Sequence, residues 1–148
     1  MEEISIEELE QRIAGCLAGV LIGDAMGCAT ENMSKEEIIK RYGGRLTNFV
    51  DPPLDSPYSS GRKAGQITDD AGLFLEMIDA TIENRGLLTL EKISEHLLKW
   101  AENTEMFERF AGPSTRRSIE LLRSGFNPTK TGIPDRKSLI SGASNGAA

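Results

Sequence analysis

Thr68-Asp69-Asp70-Ala71-Gly72-Leu73-Phe74-Leu75-Glu76-Met77-Ile78-Asp79-Ala80-Thr81-Ile82-Glu83-Asn84-Arg85-Gly86 is the stretch from which the fold class is read. Threonine stands where a helix needs an N-cap, and two acids follow where the helix dipole favours negative charge. Leu73, Phe74, Met77, Ile78 and Ile82 then recur at helical spacing. Asn84-Arg85-Gly86 offers the left-handed conformations that close helices. The spacing predicts an amphipathic helix that buries one side.

Toward the N-terminus, Arg45 to Gln66 sustains no period and is punctuated by Pro52, Pro53, Pro57, Gly61 and Gly65. Long loops inside compact domains are commonly functional, so this one is read as an active-site loop. A short helix is expected from Ser34, with Glu37 completing a capping box, to a stop at Gly43-Gly44. The first helix is expected from another capping box, Ser5-Ile6-Glu7-Glu8, with Leu9, Ile13, Cys16, Leu17, Val20, Leu21 and Asp24 following at helical spacing. It carries Gly15, Gly19, Gly23 and Gly27, and each mid-helix glycine costs roughly 0.5–1 kcal/mol relative to alanine. Close helix packing along a ridge of small residues, or close approach to a ligand, would offset that cost, and the stretch is expected to lie in a core.

Toward the C-terminus, Leu90 to about Ala101 forms a helix with Ile93, Leu97, Leu98 and Trp100 apolar. Gly112-Pro113 turns into another that carries Ile119, Leu121 and Leu122 and ends at Gly125, before a loop with Pro128, Gly132 and Pro134. No run alternates with period two, so the fold class is all-α.

The 148 residues fit one domain, with 39% hydrophobic and 27% charged residues. A net charge of −6 supplies no positive field for phosphate backbones, so nucleic acid is not an expected partner. The acidic start Met1-Glu2-Glu3 is unlike an export signal, and Ile13 to Thr30, broken by Asp24 and diluted by glycine, falls short of the ~20 apolar residues of a membrane span. Cys16 and Cys28 have neither zinc nor redox spacing and are read as packed thiols in a reducing cytoplasm.

Chemistry is densest at Gly65-Gln66-Ile67-Thr68-Asp69-Asp70. A hydroxyl and two carboxylates in one turn can converge on a hard cation such as Mg²⁺ or Mn²⁺, and they can equally cap a helix and complement its dipole. Asp24, on the apolar side of its helix, needs a partner or an ion, while Glu31 sits in a polar turn that either faces a cleft or is plain surface. His96, the single histidine, has no second histidine or thiolate in register and is read as a surface residue. Ser114 and Thr115 are read as capping residues.

Taken in order, Arg12 to Gly19, Gly23-Asp24-Ala25-Met26-Gly27 with Glu31, Gly65 to Asp70, Gly112-Pro113-Ser114-Thr115-Arg116-Arg117 and Ser144-Asn145-Gly146-Ala147 resemble the ADP-ribosylglycohydrolase family. That family includes ADP-ribosylarginine hydrolases and dinitrogenase reductase-activating glycohydrolases. The resemblance implies an all-α fold, two Mg²⁺ or Mn²⁺ ions and cleavage of an N- or O-glycosidic bond between ADP-ribose and a protein side chain or small molecule. It makes Thr68, Asp69 and Asp70 metal ligands, Glu31 a catalytic or gating acid, Ser144, Asn145 and Gly146 a segment contacting ADP-ribose, and Asp24 structural support.

The family commonly has threonine at the position of Ala71, and a second acidic motif, D-x-D-[ST], near its C-terminal end; no such motif follows Asp70 here. Residues 1–148 are accordingly expected to be the N-terminal half of the family's single helical domain, ending within Ser144-Asn145-Gly146-Ala147. The implied partner is its own C-terminal half as a second chain, and the isolated chain is expected to be inactive. The alternative is a non-catalytic helical module binding ADP-ribose or a protein, or an inactive fragment.

Overall fold

A computed structural model describes residues 4–131. Among them are six α-helices and one 3-10 turn, with no strand: α1 (Ile6–Gly27), α2 (Lys35–Tyr42), α3 (Asp69–Glu83), α4 (Leu90–Trp100), α5 (Thr104–Phe110), α6 (Pro113–Arg123) and the turn Pro128–Lys130. The all-α expectation holds. The chain divides between Ile67 and Thr68 into two compact units.

In the first unit α1 starts as expected, with the Ser5 hydroxyl accepting from the Glu8 N–H at 3.1 Å. The reciprocal half of the capping box is replaced: the Glu8 carboxylate turns to Arg12, 2.6 Å away, at the i,i+4 spacing that suits an ion pair. The expectation that α1 lies in a core is corrected. Leu9, Ile13 and Ile22 are about half exposed, Cys16 is exposed, and a Cβ built at Gly15, Gly19, Gly23 or Gly27 would meet nothing within 4 Å among the described residues. Apolar periodicity marks a face; whether that face is covered depends on a second surface that periodicity does not contain.

Burial in this unit gathers instead at the end of α1, in Ala25, Cys28 and Ala29. α2 forms as expected. Ser34 N–H donates to Glu37 Oε2 at 2.7 Å, Glu37 N–H donates to Ser34 Oγ at 3.2 Å, and Gly43, in the left-handed region at φ 78°, donates to the Ile39 carbonyl at 2.8 Å. The bond from the Ser34 backbone holds the Glu37 carboxyl below its ordinary value.

In the second unit α3 and α4 pack on each other across a short connection. α3 closes through Gly86 N–H to the Thr81 carbonyl at 2.7 Å, with Arg85 and Gly86 at φ 54° and 89°. Leu73, Trp100, Ala101, Phe107, Ala111 and Ile119 form the buried cluster, with Leu97, Leu98 and Met106 against it. Ile82, expected on the apolar side of α3, is 70% exposed, whereas Ala80 two residues earlier is fully buried.

α5 is absent from the sequence reading. Only seven residues long, it shows no sustained period; it forms because Asn103 accepts from the Met106 N–H, Phe107 is buried, and Arg116 of α6 donates to the carbonyls of Phe107 and Ala111, both at 2.9 Å. Arg116 and Arg123 also lie over the Phe107 ring, 5.0 and 5.2 Å from its centre. No helix among the described residues is long and apolar enough to cross a membrane.

Candidate metal centre

The loop from Arg45 to Gln66 has no helix or strand, yet from Asp51 onward it is braced by its own hydrogen bonds. Asp51 Oδ1 accepts from the Ala64 N–H at 2.8 Å and Oδ2 from Lys63 Nζ at 3.1 Å, and these bonds, the backbone one foremost, hold the Asp51 carboxyl below its ordinary value. Arg41 forks onto Asp55 at 2.8 and 2.9 Å, tying α2 to the loop. The buried Arg62 guanidinium donates to the Ile67 carbonyl, one residue before Thr68. An internally bonded loop of this kind delivers its last residues in a defined geometry.

Those last residues lead into the turn that the sequence singles out. Thr68 is extended, at φ −110° and ψ −159°, and is 7% exposed; Asp69 and Asp70 are the first two residues of α3. Thr68 is the N-cap by position, but its side chain makes no cap hydrogen bond, which separates it from Ser5, Ser34 and Thr89, whose hydroxyls all do. In the helix's first turn the Gly72 N–H donates to the Thr68 carbonyl at 3.1 Å. Capping is therefore not the work of this hydroxyl.

The donor set fits a hard divalent cation in kind: one hydroxyl and two carboxylates, all oxygen, in consecutive positions. It is partial in number. Among the described residues no group of three or more histidine, cysteine, aspartate or glutamate side chains gathers to hold a metal.

Glu31 stands in the first unit, exposed, in the turn that follows α1 and just before Asn32 at φ 61°. The turn is pinned from two directions. Tyr42 Oη donates to the Ala29 carbonyl at 3.1 Å, and the buried Cys28 thiol donates to the buried Ser59 hydroxyl at 3.1 Å, fastening the end of α1 to α2 and to the loop. Cys28 is thus the packed thiol expected of it, whereas Cys16 is not. Asp24, expected to be buried, is only partly so, one turn before Cys28, whose N–H donates to its carbonyl at 3.0 Å. Ser144, Asn145 and Gly146 lie outside the described residues.

His96 requires a correction. Instead of lying on the surface it is 1% exposed, with both ring nitrogens against carboxylates of α3. A search for metal-ligand spacing passes over it because its partners are acids on a neighbouring helix.

Among the described residues, which are helical with no strand, one hydroxyl and two carboxylates thus stand together at the start of α3. The family model described as ADP-ribosylglycohydrolase matches residues 5–148, and the chain belongs to that family. It is 30% identical over 125 residues to an uncharacterised protein of Archaeoglobus fulgidus, covering 84% of this chain and 38% of the relative. It is 28% identical over 116 residues to the uncharacterised protein YegU of Escherichia coli K12, covering 78% and 34%. The ADP-ribosyl-(dinitrogen reductase) glycohydrolase of Rhodospirillum rubrum is 28% identical over 111 residues, covering 75% of this chain and 34% of that protein. The matches thus span about a third of the length of these relatives.

Proposed function

We propose that this chain carries the N-terminal metal-ligand set of a hydrolase that removes ADP-ribose from a modified protein side chain, the remaining ligands coming from a complementary C-terminal half. The observation that carries the reading is the family match over residues 5–148, which contains the Thr68-Asp69-Asp70 turn. The small share of each relative that is covered supports a centre completed from elsewhere.

Thr68, Asp69 and Asp70 would hold a pair of Mg²⁺ or Mn²⁺ ions through hard oxygen atoms. When bound, such ions supply positive charge beside the ribose hydroxyls and the anomeric carbon. Glu31 holds or releases a proton at its carboxylate, either to help the side chain leave or to take a proton from the attacking water. The fixed turn beneath it, pinned through Ala29 and Cys28, limits where that carboxylate can reach. Ser144, Asn145 and Gly146 would contact the ADP-ribose phosphates through small side chains and backbone N–H groups.

The test is ADP-ribose release from an ADP-ribosylated protein by the chain assembled with its complementary half. Release is expected in Mg²⁺ or Mn²⁺, to vanish with a chelator and to return when the metal is restored; release that survives complete chelation refutes the metal reading. In the same assay Glu31→Gln is expected to slow turnover by about 10²–10⁴-fold, the range of a positioned acid or base. An unchanged rate removes Glu31 from the mechanism.

A further inference from the structure

The strongest unassigned feature lies between α3 and α4, away from the Thr68 turn. His96 Nδ1 is 2.9 Å from Glu76 Oε2 and Nε2 is 3.2 Å from Glu83 Oε2, with the ring 1% exposed. A neutral imidazole has one N–H and one lone pair, so it can donate to only one of the two carboxylates while turning a lone pair toward the other. The imidazolium donates to both. Burial disfavours a charged ring unless it is paired and hydrogen-bonded, and this one meets both conditions.

Charged side chains line both helices around the ring. α3 contributes Glu76, Asp79 and Glu83, and α4 contributes Lys92, Glu95 and Lys99. Lys99 Nζ lies 3.1 Å from Glu76 and 3.7 Å from Asp79; Lys92 Nζ lies 2.8 Å from Glu95 and 3.5 Å from Glu83. Four acids thus face two lysines, and a proton on His96 supplies a third positive charge. The bond to His96 is the leading reason the Glu83 carboxyl is held below its ordinary value. From α6 and the 3-10 turn, which also pack on α4, Arg123 donates to the Ala101 carbonyl and Arg116 to α5 carbonyls, while Glu120 and Lys130 are exposed; none of these groups pairs with the ring.

We propose that His96 is a proton-operated clamp: as the imidazolium it ties Glu76 and Glu83 together to α4, and on losing its proton it releases one of them and loosens the helix pair whose first turn is Thr68-Asp69-Asp70. The sign follows from linkage. Where the folded pair retains a proton that the unfolded chain gives up, stability falls as pH rises. The clamp therefore closes when the ring takes up a proton and opens when it gives one up. It stands independently of any catalytic role for the chain.

His96 is the only histidine, so its ring resonances in the chain are unambiguous. The experiment follows those resonances by NMR from pH 5 to 8.5, together with amide-exchange protection factors in α3 and α4 corrected for intrinsic exchange. Protection is expected to fall by roughly tenfold on the same curve as the ring's titration, the scale of one charge-assisted hydrogen bond. Protection that stays level while the ring titrates overturns the proposal. Glu83→Gln, at an exposed position, leaves the buried ring in place and is expected to flatten the dependence; a slope equal to the parent's in that variant also overturns it.

Discussion

Trp100→Ala is expected to lower the stability of the second unit by about 3–5 kcal/mol, enough to leave a marginally stable domain substantially unfolded. Trp100 is 4% exposed and belongs to the only cluster of large buried side chains among the described residues of this unit. It meets Phe107 edge-on, with ring centres 6.4 Å apart and planes at 76°, and its indole nitrogen lies 2.8 Å from the point where Gly72 would carry a Cβ. Removing the indole opens a cavity where α3, α4 and α5 converge, and two short helices cannot collapse far to fill it.

Two further substitutions separate packing from polarity at this position. The buried Nε1 has no hydrogen-bond partner among the described residues, a state that costs about 1–3 kcal/mol, so Trp100→Phe, which removes that atom, is expected to cost much less than alanine. Gly72→Ala adds helix propensity worth about 0.8–1.0 kcal/mol but places a methyl against the indole, and overpacking of that kind costs about 1–3 kcal/mol. The net effect is expected to be destabilising. Urea unfolding followed by circular dichroism reads all three; an alanine variant within about 1 kcal/mol of the parent would contradict the packing argument, given the range for such truncations.

Asp69→Asn and Asp70→Asn are each expected to reduce ADP-ribose release by the assembled protein by roughly 100-fold or more, beyond the 10–100-fold that follows loss of a group merely hydrogen-bonded to a metal ligand. Asparagine preserves size and removes the charge that a divalent cation needs. The competing role, complementing the helix dipole, has a different magnitude: losing one acid from a first turn costs about 0.3–1 kcal/mol of stability and would leave turnover intact. Measuring unfolding and release on the same variants separates the two roles. Small stability losses with undiminished release would assign both carboxylates to the helix and end the metal reading.

Much of the fold is legible because helix limits are local. Ser34 and Glu37 satisfy each other's backbone N–H groups within four residues, and Gly43 closes the same helix six residues later, so α2 can be read directly from its residues. Thr89, Gly112-Pro113 and Gly86 mark their helix ends in the same way. α5 shows where that reading stops. Seven residues are too few to reveal a period, and its C-terminal carbonyls are satisfied by Arg116, which lies on the next helix.

The candidate site was legible as a motif. The order of its residues, from the glycine-rich first helix to Thr68-Asp69-Asp70, carried the family resemblance, which the match over residues 5–148 bears out. The geometry behind the motif was not legible. That the Thr68 side chain makes no cap bond, and that the Glu31 turn is fastened by Tyr42 and by a Cys28–Ser59 contact, depend on residues brought together from distant parts of the chain.

Sequence by itself determined that this protein is helical, where most helices begin and end, and to which family it belongs, because capping, dipole complementarity and helical periodicity act within a few residues. Only the tertiary structure decided that α1 leaves Leu9, Ile13 and Ile22 about half exposed among the described residues, that Gly72 stands bare beneath Trp100, and that the single histidine is buried between two glutamates of another helix. Burial and charge pairing belong to pairs of surfaces, and a pair exists only once the chain has folded.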